Sequence, residues 1–572
     1  MSETRDTYLL LRAFADELHR CGVAGACTSP GSRSTPLVLT LARDGRIPVT
    51  SHVDERSAAF FALGLAQATG RPAVLACTSG TAAANYVPAV IEAAEAGVPL
   101  IVLTTDRPPE LRDVGAGQTI DQIKLYGDNV KWFFELGTHE ATPRRLRWIR
   151  QLACRVHGAA RQGRPGVVHV NLPLREPLVL DAPLEGSPSD GGRPDGAPWT
   201  AFVGAAPDDV AALRGWLRAA GPRGLIVAGR DADGPATAAL GERLRWPVLA
   251  DPLSGARTGD AAIAHYDALL RTTLEPGATP SAVLRVGDLP TSKPLRAWLA
   301  GLGDDVPQAA LTGGGDWPDP DAVISAAFAL APGALARIGE PEATDPDWTA
   351  RWREADARAA AAIAATIGDD ALNEPRIARE LATAVPTGAV VVIAASMPIR
   401  DVETFWPVLD TPPRALANRG ANGIDGTIST AYGIADADRA RPTYLLIGDV
   451  ALAHDVGGLL AGRRLGVPLT IVCVDNAGGG IFDFLPVSTQ GAEYEEHVLT
   501  PTGLDVARAA ALYDARYVAA EDLATLREAL QTPPDGTTIV HVRTERAANV
   551  ALHRAVWEAV SAAHDESLRP DR

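Results

Sequence analysis

The most constraining feature of this 572-residue sequence is the stretch IGDVALAHDVGGLLAGRRLGVPLTIVCVDNAGGGIF at 447–482. An apolar run ends in Gly448-Asp449, a helix-period segment follows, and a second apolar, β-branched run ends in Asp475-Asn476. A strand, a helix and a second strand in that order make a parallel βαβ unit, and both polar ends then lie at the same edge of one sheet. The same alternation recurs in PAVLACTSG and VPLIVLTTD (72–80, 98–106) with the helix-period segment 82–97 between them. It recurs again in GLIVAGRDADGPATAAL (224–240), AVLRVGDLPTSKPLRAWL (282–299), GAVVVIAAS (388–396) and TTIVHVRTE (537–545). The expected fold class is therefore α/β: doubly wound parallel sheets, with ligands at the carboxyl ends of the strands.

The chain is too long for one core, since domains run to ~100–200 residues. Two segments break the apolar pattern, the Gly/Pro-rich 181–198 and GEPEATDPD at 339–347. They divide the chain into expected domains at 1–183, 199–340 and 348–572, the last opening on an Ala-rich helix near 348–367. The net charge of −17 argues against a nucleic-acid or membrane-surface binder, which would need a basic face. No apolar run approaches a membrane span, and the charged N-terminus lacks the apolar core of a signal peptide. Five Cys without a CxxC spacing read as reduced thiols, so a cytoplasmic location is expected.

Asp449 and Asn476 lie 27 residues apart, about one strand–helix–strand repeat. A carboxylate and an amide oxygen converging at a sheet edge suit Mg²⁺, a hard ion that prefers oxygen and completes its shell with phosphates and water. Gly478, Gly479 and Gly480 let backbone N–H groups approach a diphosphate. HVDERSAAFFALGLAQATG (52–70) places Glu55 at a strand end, ahead of a helix with small residues at Ala58, Ala59, Ala62 and Gly64. TSPGSRSTPL (28–37) sets Arg33 among small and hydroxyl residues at a turn, which suits a carboxylate. Read singly, each has an ordinary alternative: a helix cap, a first-turn Glu, a solvated Arg.

Together these motifs resemble the thiamine-diphosphate-dependent enzymes. With SPGSRS, TTDRPPELRDVGAGQTIDQ (104–122), SKPLRAW (292–298), SMPIRD (396–401) and NRGANGIDGTISTAYG (418–433), they resemble the menaquinone-pathway 2-succinyl-5-enolpyruvyl-6-hydroxy-3-cyclohexene-1-carboxylate synthase family. The match runs through all three blocks in order. It implies a pyrimidine-binding domain, a central domain and a diphosphate-binding domain. It implies Asp449, Asn476 and the Gly478 carbonyl as ligands of Mg²⁺, or of Mn²⁺ in its place. Val450 and Asp475 depart from the family's GDG…NN pattern without removing a ligand.

Further implied cofactor contacts are Gly448, Gly479, Gly480, Ile481 and Phe482 at the diphosphate, Ser396, and Ile424 as the stiff wedge beneath the thiazolium. Glu55 is implied to hydrogen-bond the aminopyrimidine and favour its imino tautomer, with burial raising its proton affinity. Arg33, Gln118, Arg400 and Arg419 are implied in catalysis as well as substrate binding, with Arg107, Lys293 and Ser396 completing the pocket. Pro294 follows Lys293 where some relatives carry a second basic residue. The implied reaction decarboxylates 2-oxoglutarate and adds its succinyl-semialdehyde unit in 1,4 fashion to isochorismate; these two dianions account for the several Arg. The resemblance also implies a homodimer or homotetramer. A carboligase acting on other 2-oxo acids and a non-catalytic protein on the same fold are the alternatives. Five histidines, His52, His139, His169, His454 and His497, show no metal spacing, and the glycine-rich turns near Gly229 and Gly313–Gly315 are too weak to indicate a nucleotide.

Overall fold

A computed structural model describes residues 3–187, 189–202, 210–272, 277–313, 315, 317–339 and 344–567. Residues 340–343 of the second break and Gly314 of the glycine-rich turn thus lie outside the described residues.

The β-branched runs form three six-stranded sheets. The first comprises β1 (Gly25–Thr28), β2 (Val49–Ser51), β3 (Ala73–Cys77), β4 (Leu100–Asp106), β5 (Trp132–Glu135) and β6 (Val167–Pro173), in the order β2-β1-β3-β4-β6-β5. The second comprises β7 (Leu225–Ala228), β8 (Val248–Ala250), β9 (Ala262–Ile263), β10 (Val283–Val286), β11 (Gln308–Leu311) and β12 (Ile324–Phe328), in the order β12-β11-β10-β7-β8-β9. The third comprises β13 (Val390–Ile393), β14 (Arg414–Leu416), β15 (Thr443–Gly448), β16 (Leu469–Asp475), β17 (Arg516–Ala519) and β18 (Thr537–Arg543), in the order β14-β13-β15-β16-β18-β17. Among the described residues the paired strands run parallel. Central strands such as β3 and β4 are buried along their whole length, as sheets covered by helices on both faces must be.

Each sheet has a point where the winding reverses about neighbouring strands: between β1 and β3, between β7 and β10, and between β13 and β15. The first and third sheets turn back again at their far edges, where β6 and β18 insert before β5 and β17. The reversal about neighbouring strands opens a crevice at the carboxyl ends of the two strands. The segments after β1 and β3 are SPGSRS and TSG. The segment after β13 runs through Ala394 and Ala395 to Ser396, and that after β15 begins at Asp449. The sequence motifs therefore sit where doubly wound folds take their ligands.

The chain divides into two compact units: Met1–Gly204 with Asn418–Ala440 and His454–Leu469, and Ala205–Ala417 with Arg441–Ala453 and Thr470–Arg572. In the first unit the helix Glu55–Thr69 starts on an Asp54 cap, whose carboxylate accepts the Arg56 N–H at 2.8 Å, and stops at left-handed Gly70. Its small residues serve packing. A Cβ on Gly64 would lie 2.0 Å from the Thr430 carbonyl oxygen, and one on Gly433 would lie 1.9 Å from that of Phe61. The helices Glu55–Thr69 and Thr427–Ala437 thus meet almost backbone to backbone.

Three details differ from the sequence reading. The 82–97 segment forms two helices, Thr81–Ala84 and Val87–Ala96, because Pro88 starts a new helix more readily than it continues one. The segment after Asp449 is likewise broken, into Asp449–His454, a tight turn at Val456–Leu459 and Leu460–Leu465, around Gly457-Gly458. The Gly/Pro-rich segment 181–198 lacks regular structure among its described residues but is tied to the first domain. Arg12 donates to the Glu185 carbonyl at 2.9 Å, Arg20 to that of Arg193 at 2.9 Å and Arg150 to that of Asp190 at 3.0 Å. Just beyond it, the Trp199 N–H donates to Glu17. The network rests on Asp16 and Glu17, both buried and both bonded by Arg150. Among the described residues, no helix is long and apolar enough to cross a membrane.

The first sheet also buries neutral histidine. Burial pushes His169 down to about 3, and its ring nitrogen bonds the Thr104 hydroxyl at 2.7 Å. A folded pKa below the unfolded one means the unfolded chain binds more protons, so this contribution is full above pH ~6.5 and is lost as pH falls toward 3. Asp455, pushed up to about 6 by burial, works in the opposite direction. At ~1.4 kcal/mol per pH unit, His169 accounts for roughly 2 kcal/mol of loss between pH 6.5 and 5. A His169→Gln variant therefore loses less of its melting temperature than the native protein between pH 7 and 5. Equal losses would contradict the assignment.

Candidate active site

The anion-binding residues gather in the first unit. Gly31 of the turn after β1 presses on Thr78 after β3, where a Cβ would lie 2.2 Å from the threonine Cβ. Only glycine permits the two loops to touch. Arg33 is 3% exposed; its Nη1 donates to the Leu174 carbonyl at 2.7 Å and its Nη2 to Glu176 at 3.2 Å, while its buried Nε has no hydrogen-bond partner. Burial first, and the charge of Arg107 next, hold Arg33 below the usual guanidinium range. Arg107 follows β4 and donates to the Ser79 hydroxyl at 2.9 Å and to the Gly117 carbonyl at 3.1 Å. Gln118 donates to the Ser79 carbonyl at 3.0 Å and accepts at its own carbonyl from the Ser79 hydroxyl at 2.9 Å. Arg107 and Gln118 are thus brought together at Ser79, a residue the sequence reading passed over inside TSG, and the Arg33 charge acts on that of Arg107.

Glu55 opens the helix after β2 and is half-buried. Burial pushes its carboxyl above the usual carboxylate range. A group so placed holds a proton more readily than a surface glutamate, as a hydrogen-bond donor to a heterocyclic nitrogen must. Arg419 and Ile424 lie in the loop between β14 and the helix Thr427–Ala437, with Gly426 against the ring of Phe60.

The oxygen-ligand set gathers in the second unit. Asp449 begins directly after β15 and is 4% exposed. Burial, and then the charge of Asp475, push it up to about 6, while backbone N–H groups of Val450 and Gly478 hold it down. Gly478 therefore lies against the Asp449 carboxylate. The Asn476 amide nitrogen donates to Glu374 at 3.1 Å, and its buried Oδ1 has no hydrogen-bond partner. An acceptor oxygen held buried beside a carboxylate without a donor is what a divalent cation site requires. Gly478, at φ 137°, allows no side chain, since a Cβ would lie 2.8 Å from Leu499 atoms. The Gly479 N–H donates to the Leu499 carbonyl at 2.8 Å, and a short 3₁₀ turn over Gly480–Phe484 carries Ile481 and Phe482. The donor set fits Mg²⁺, whereas the N–H groups of Gly478, Gly479 and Gly480, expected to approach a diphosphate, bond the Asp449 carboxylate, the Leu499 carbonyl and the Gly478 carbonyl instead.

Asp475, the departure from the family pattern, faces His541 on β18 at 2.9 Å and is held below its usual range by that contact. Glu374 accepts from both Asn476 and the Thr544 hydroxyl, the latter at 2.8 Å, and so fixes which way the amide points. Neither Glu374 nor His541 carries a motif, because both reach the site only through the folding of distant segments.

Ser396 caps the helix Met397–Phe405 at φ 75°, and its carbonyl accepts from Arg400 at 2.5 Å. Positive φ also occurs at Gln118, Asn422 and Ala477. Non-glycine residues in that region hold ~1–3 kcal/mol of strain each and persist where surrounding structure imposes them, often at ligand sites. Lys293 is the exposed first residue of the helix Lys293–Ala300. Ser292, its cap, donates to Asp267 at 2.6 Å, and Thr404 at the end of the Arg400 helix donates to the same carboxylate at 3.3 Å. One buried aspartate so ties the Lys293 and Arg400 helices together.

Comparison with known proteins identifies the domains and the family. The thiamine pyrophosphate (diphosphate) enzyme N-terminal TPP binding domain matches residues 10–125, the thiamine pyrophosphate middle domain residues 194–393, and the C-terminal TPP binding domain residues 401–542. The solved benzoylformate decarboxylase of Polynucleobacter necessarius shares the fold, with a TM-score of 0.70 over 94% of this chain and 98% of that one at 17% identity. The fold and site thus define a thiamine-diphosphate enzyme. The 2-succinyl-5-enolpyruvyl-6-hydroxy-3-cyclohexene-1-carboxylate synthase of Geobacillus thermodenitrificans is 43% identical over 96% of this chain and 95% of its own. That of Bacillus velezensis is 41% identical over 96% of each. The chain belongs to the 2-succinyl-5-enolpyruvyl-6-hydroxy-3-cyclohexene-1-carboxylate synthase family.

Proposed function

We propose that the protein decarboxylates 2-oxoglutarate and adds the succinyl-semialdehyde unit 1,4 to isochorismate, giving 2-succinyl-5-enolpyruvyl-6-hydroxy-3-cyclohexene-1-carboxylate for menaquinone biosynthesis. The observation that carries this reading is the pairing of Arg33 and Arg107 beside Gln118 in a chain of net charge −17. Arg33 already pairs with Glu176, and a further anion beside the two guanidinium groups answers the positive charge that remains. Such a site favours dianionic substrates over pyruvate.

Thiamine diphosphate, when bound, supplies the electron sink for loss of CO₂ and for carbon–carbon bond formation. Glu55 would hold the cofactor's aminopyrimidine, its buried carboxyl supplying a proton there. Asp449, Asn476 and the Gly478 carbonyl hold Mg²⁺, or Mn²⁺ in its place, while Gly448, Gly479, Gly480, Ile481 and Phe482 line the diphosphate. Ile424 would support the cofactor's thiazolium end, and Ser396 would contact cofactor and substrate. Arg33, Arg107, Gln118, Lys293, Arg400 and Arg419 bind and orient the substrate carboxylates, where a charged hydrogen bond contributes ~1.5–3 kcal/mol.

The assembly is a homodimer or a dimer of dimers in the cytoplasm, with no nucleic-acid partner and no membrane span. The domains run 1–183 for the pyrimidine, 199–340 in the centre and 348–572 for the diphosphate.

Purified protein with thiamine diphosphate and Mg²⁺, offered 2-oxoglutarate with isochorismate, should form the adduct at least tenfold faster than with pyruvate as donor. Preference for pyruvate would reassign the chain to another carboligase activity.

A further inference from the structure

Arg419 stands on the loop that leads to Ile424, and the first domain grips that loop next to it. Glu92, on the helix Val87–Ala96, is 3% exposed. One of its carboxylate oxygens accepts the Gly420 N–H at 2.8 Å and the other accepts the Ala421 N–H at 2.7 Å. Both are charge-assisted hydrogen bonds to consecutive backbone groups. The loop is pressed onto the helix there, since a Cβ on Gly420 would lie 2.6 Å from both the Ala96 nitrogen and the Glu92 carbonyl oxygen. On the other side of Arg419, Asn418 accepts from Gln67 at 3.2 Å and donates to the Thr430 hydroxyl at 3.0 Å. The loop is therefore held immediately before Arg419 through the Asn418 side chain and immediately after it through the Gly420 and Ala421 amides, by residues of one compact unit.

We propose that Glu92 is a positioning residue: by fixing the Gly420 and Ala421 amides it aims the Arg419 guanidinium at a substrate carboxylate. The inference rests on the functional reading above, in which Arg419 binds substrate. Ordinary helix packing does not need a buried carboxylate with both oxygens on two successive loop amides. A carboxylate placed so fixes the direction of the residue between the clamps, at the desolvation cost of burying a charge.

The test is a double-mutant cycle of Glu92→Gln with Arg419→Ala, read as kcat/KM for 2-oxoglutarate with isochorismate in the cofactor-loaded enzyme. Glu92→Gln keeps the shape and one acceptor oxygen but turns an NH₂ group toward a backbone N–H. Its kcat/KM falls roughly tenfold or more, the effect of one misplaced charged hydrogen bond. Thiamine diphosphate affinity stays within about twofold, and amide hydrogen exchange quickens in the peptide covering 418–426. In the Arg419→Ala background the same substitution changes kcat/KM by less than about twofold. An equal loss in both backgrounds would overturn the proposal, as would faster exchange with unchanged kcat/KM. An Arg419→Ala variant as active as the native enzyme removes the premise instead, and that single variant tells the two failures apart. Glu92→Asp, one methylene shorter, carries the same cycle if the glutamine variant does not fold.

Discussion

Glu55→Gln lowers kcat by roughly a thousandfold, within the range of 10²–10⁴ for losing a positioned acid–base group. The substitution preserves size and the ability to hydrogen-bond but ends the exchange of a proton between carboxyl and heterocycle. Burial raises the Glu55 carboxyl, so the native group keeps its proton to higher pH than a surface glutamate; the glutamine variant has no such titration. The helix that Glu55 opens is held by the Asp54 cap and by backbone contact at Gly64, neither of which the substitution touches. The melting temperature therefore changes by no more than a few degrees. Turnover within tenfold of native would remove Glu55 from the proton-transfer role.

Asp449→Ala acts on affinity as well as turnover. It removes the one carboxylate of the oxygen set and leaves the Asn476 oxygen and the Gly478 carbonyl without an anionic partner. With excess Mg²⁺, thiamine diphosphate binds the variant at least a hundredfold more weakly, about 2.7 kcal/mol, and turnover falls with it. Without the metal, native protein and variant bind the cofactor alike, which separates loss of a ligand from collapse of the loop. Asp449→Asn, which keeps an oxygen, lies between the two. Calorimetric titration reads all these arms, and native affinity in Asp449→Ala would place the metal elsewhere.

Local pattern made some of this site legible before any coordinates. Strand ends announce themselves by β-branched runs that stop at GD, DN or TSG. In a doubly wound sheet those ends lie at one edge, so Asp449, Asn476, Glu55 and Arg33 could be placed from sequence. The three sheets were legible for the same reason. Short edge strands such as β9 (Ala262–Ile263) and β2 (Val49–Ser51) were not, because two or three residues carry no period.

The supporting residues were invisible because they act across long separations. Glu374 reaches Asn476 from 102 positions away, Asp267 reaches Thr404 from 137, and Glu92 reaches Gly420 from 328. No spacing rule links such pairs; only the fold does. The 181–198 segment teaches the converse. Its Gly and Pro content fits the lack of regular structure among its described residues, yet says nothing of the Arg12, Arg20 and Arg150 hydrogen bonds that tie it down.

The most direct test of the account is a crystal structure of the protein with thiamine diphosphate, Mg²⁺ and 2-oxoglutarate. The account predicts one Mg²⁺ at ~2.1 Å from an Asp449 carboxylate oxygen, the Asn476 Oδ1 and the Gly478 carbonyl. It also predicts a Glu55 carboxyl, of the same chain or of a neighbouring copy, within ~3 Å of the aminopyrimidine ring of that cofactor. A metal held by other residues, or an aminopyrimidine that no Glu55 reaches, would contradict it.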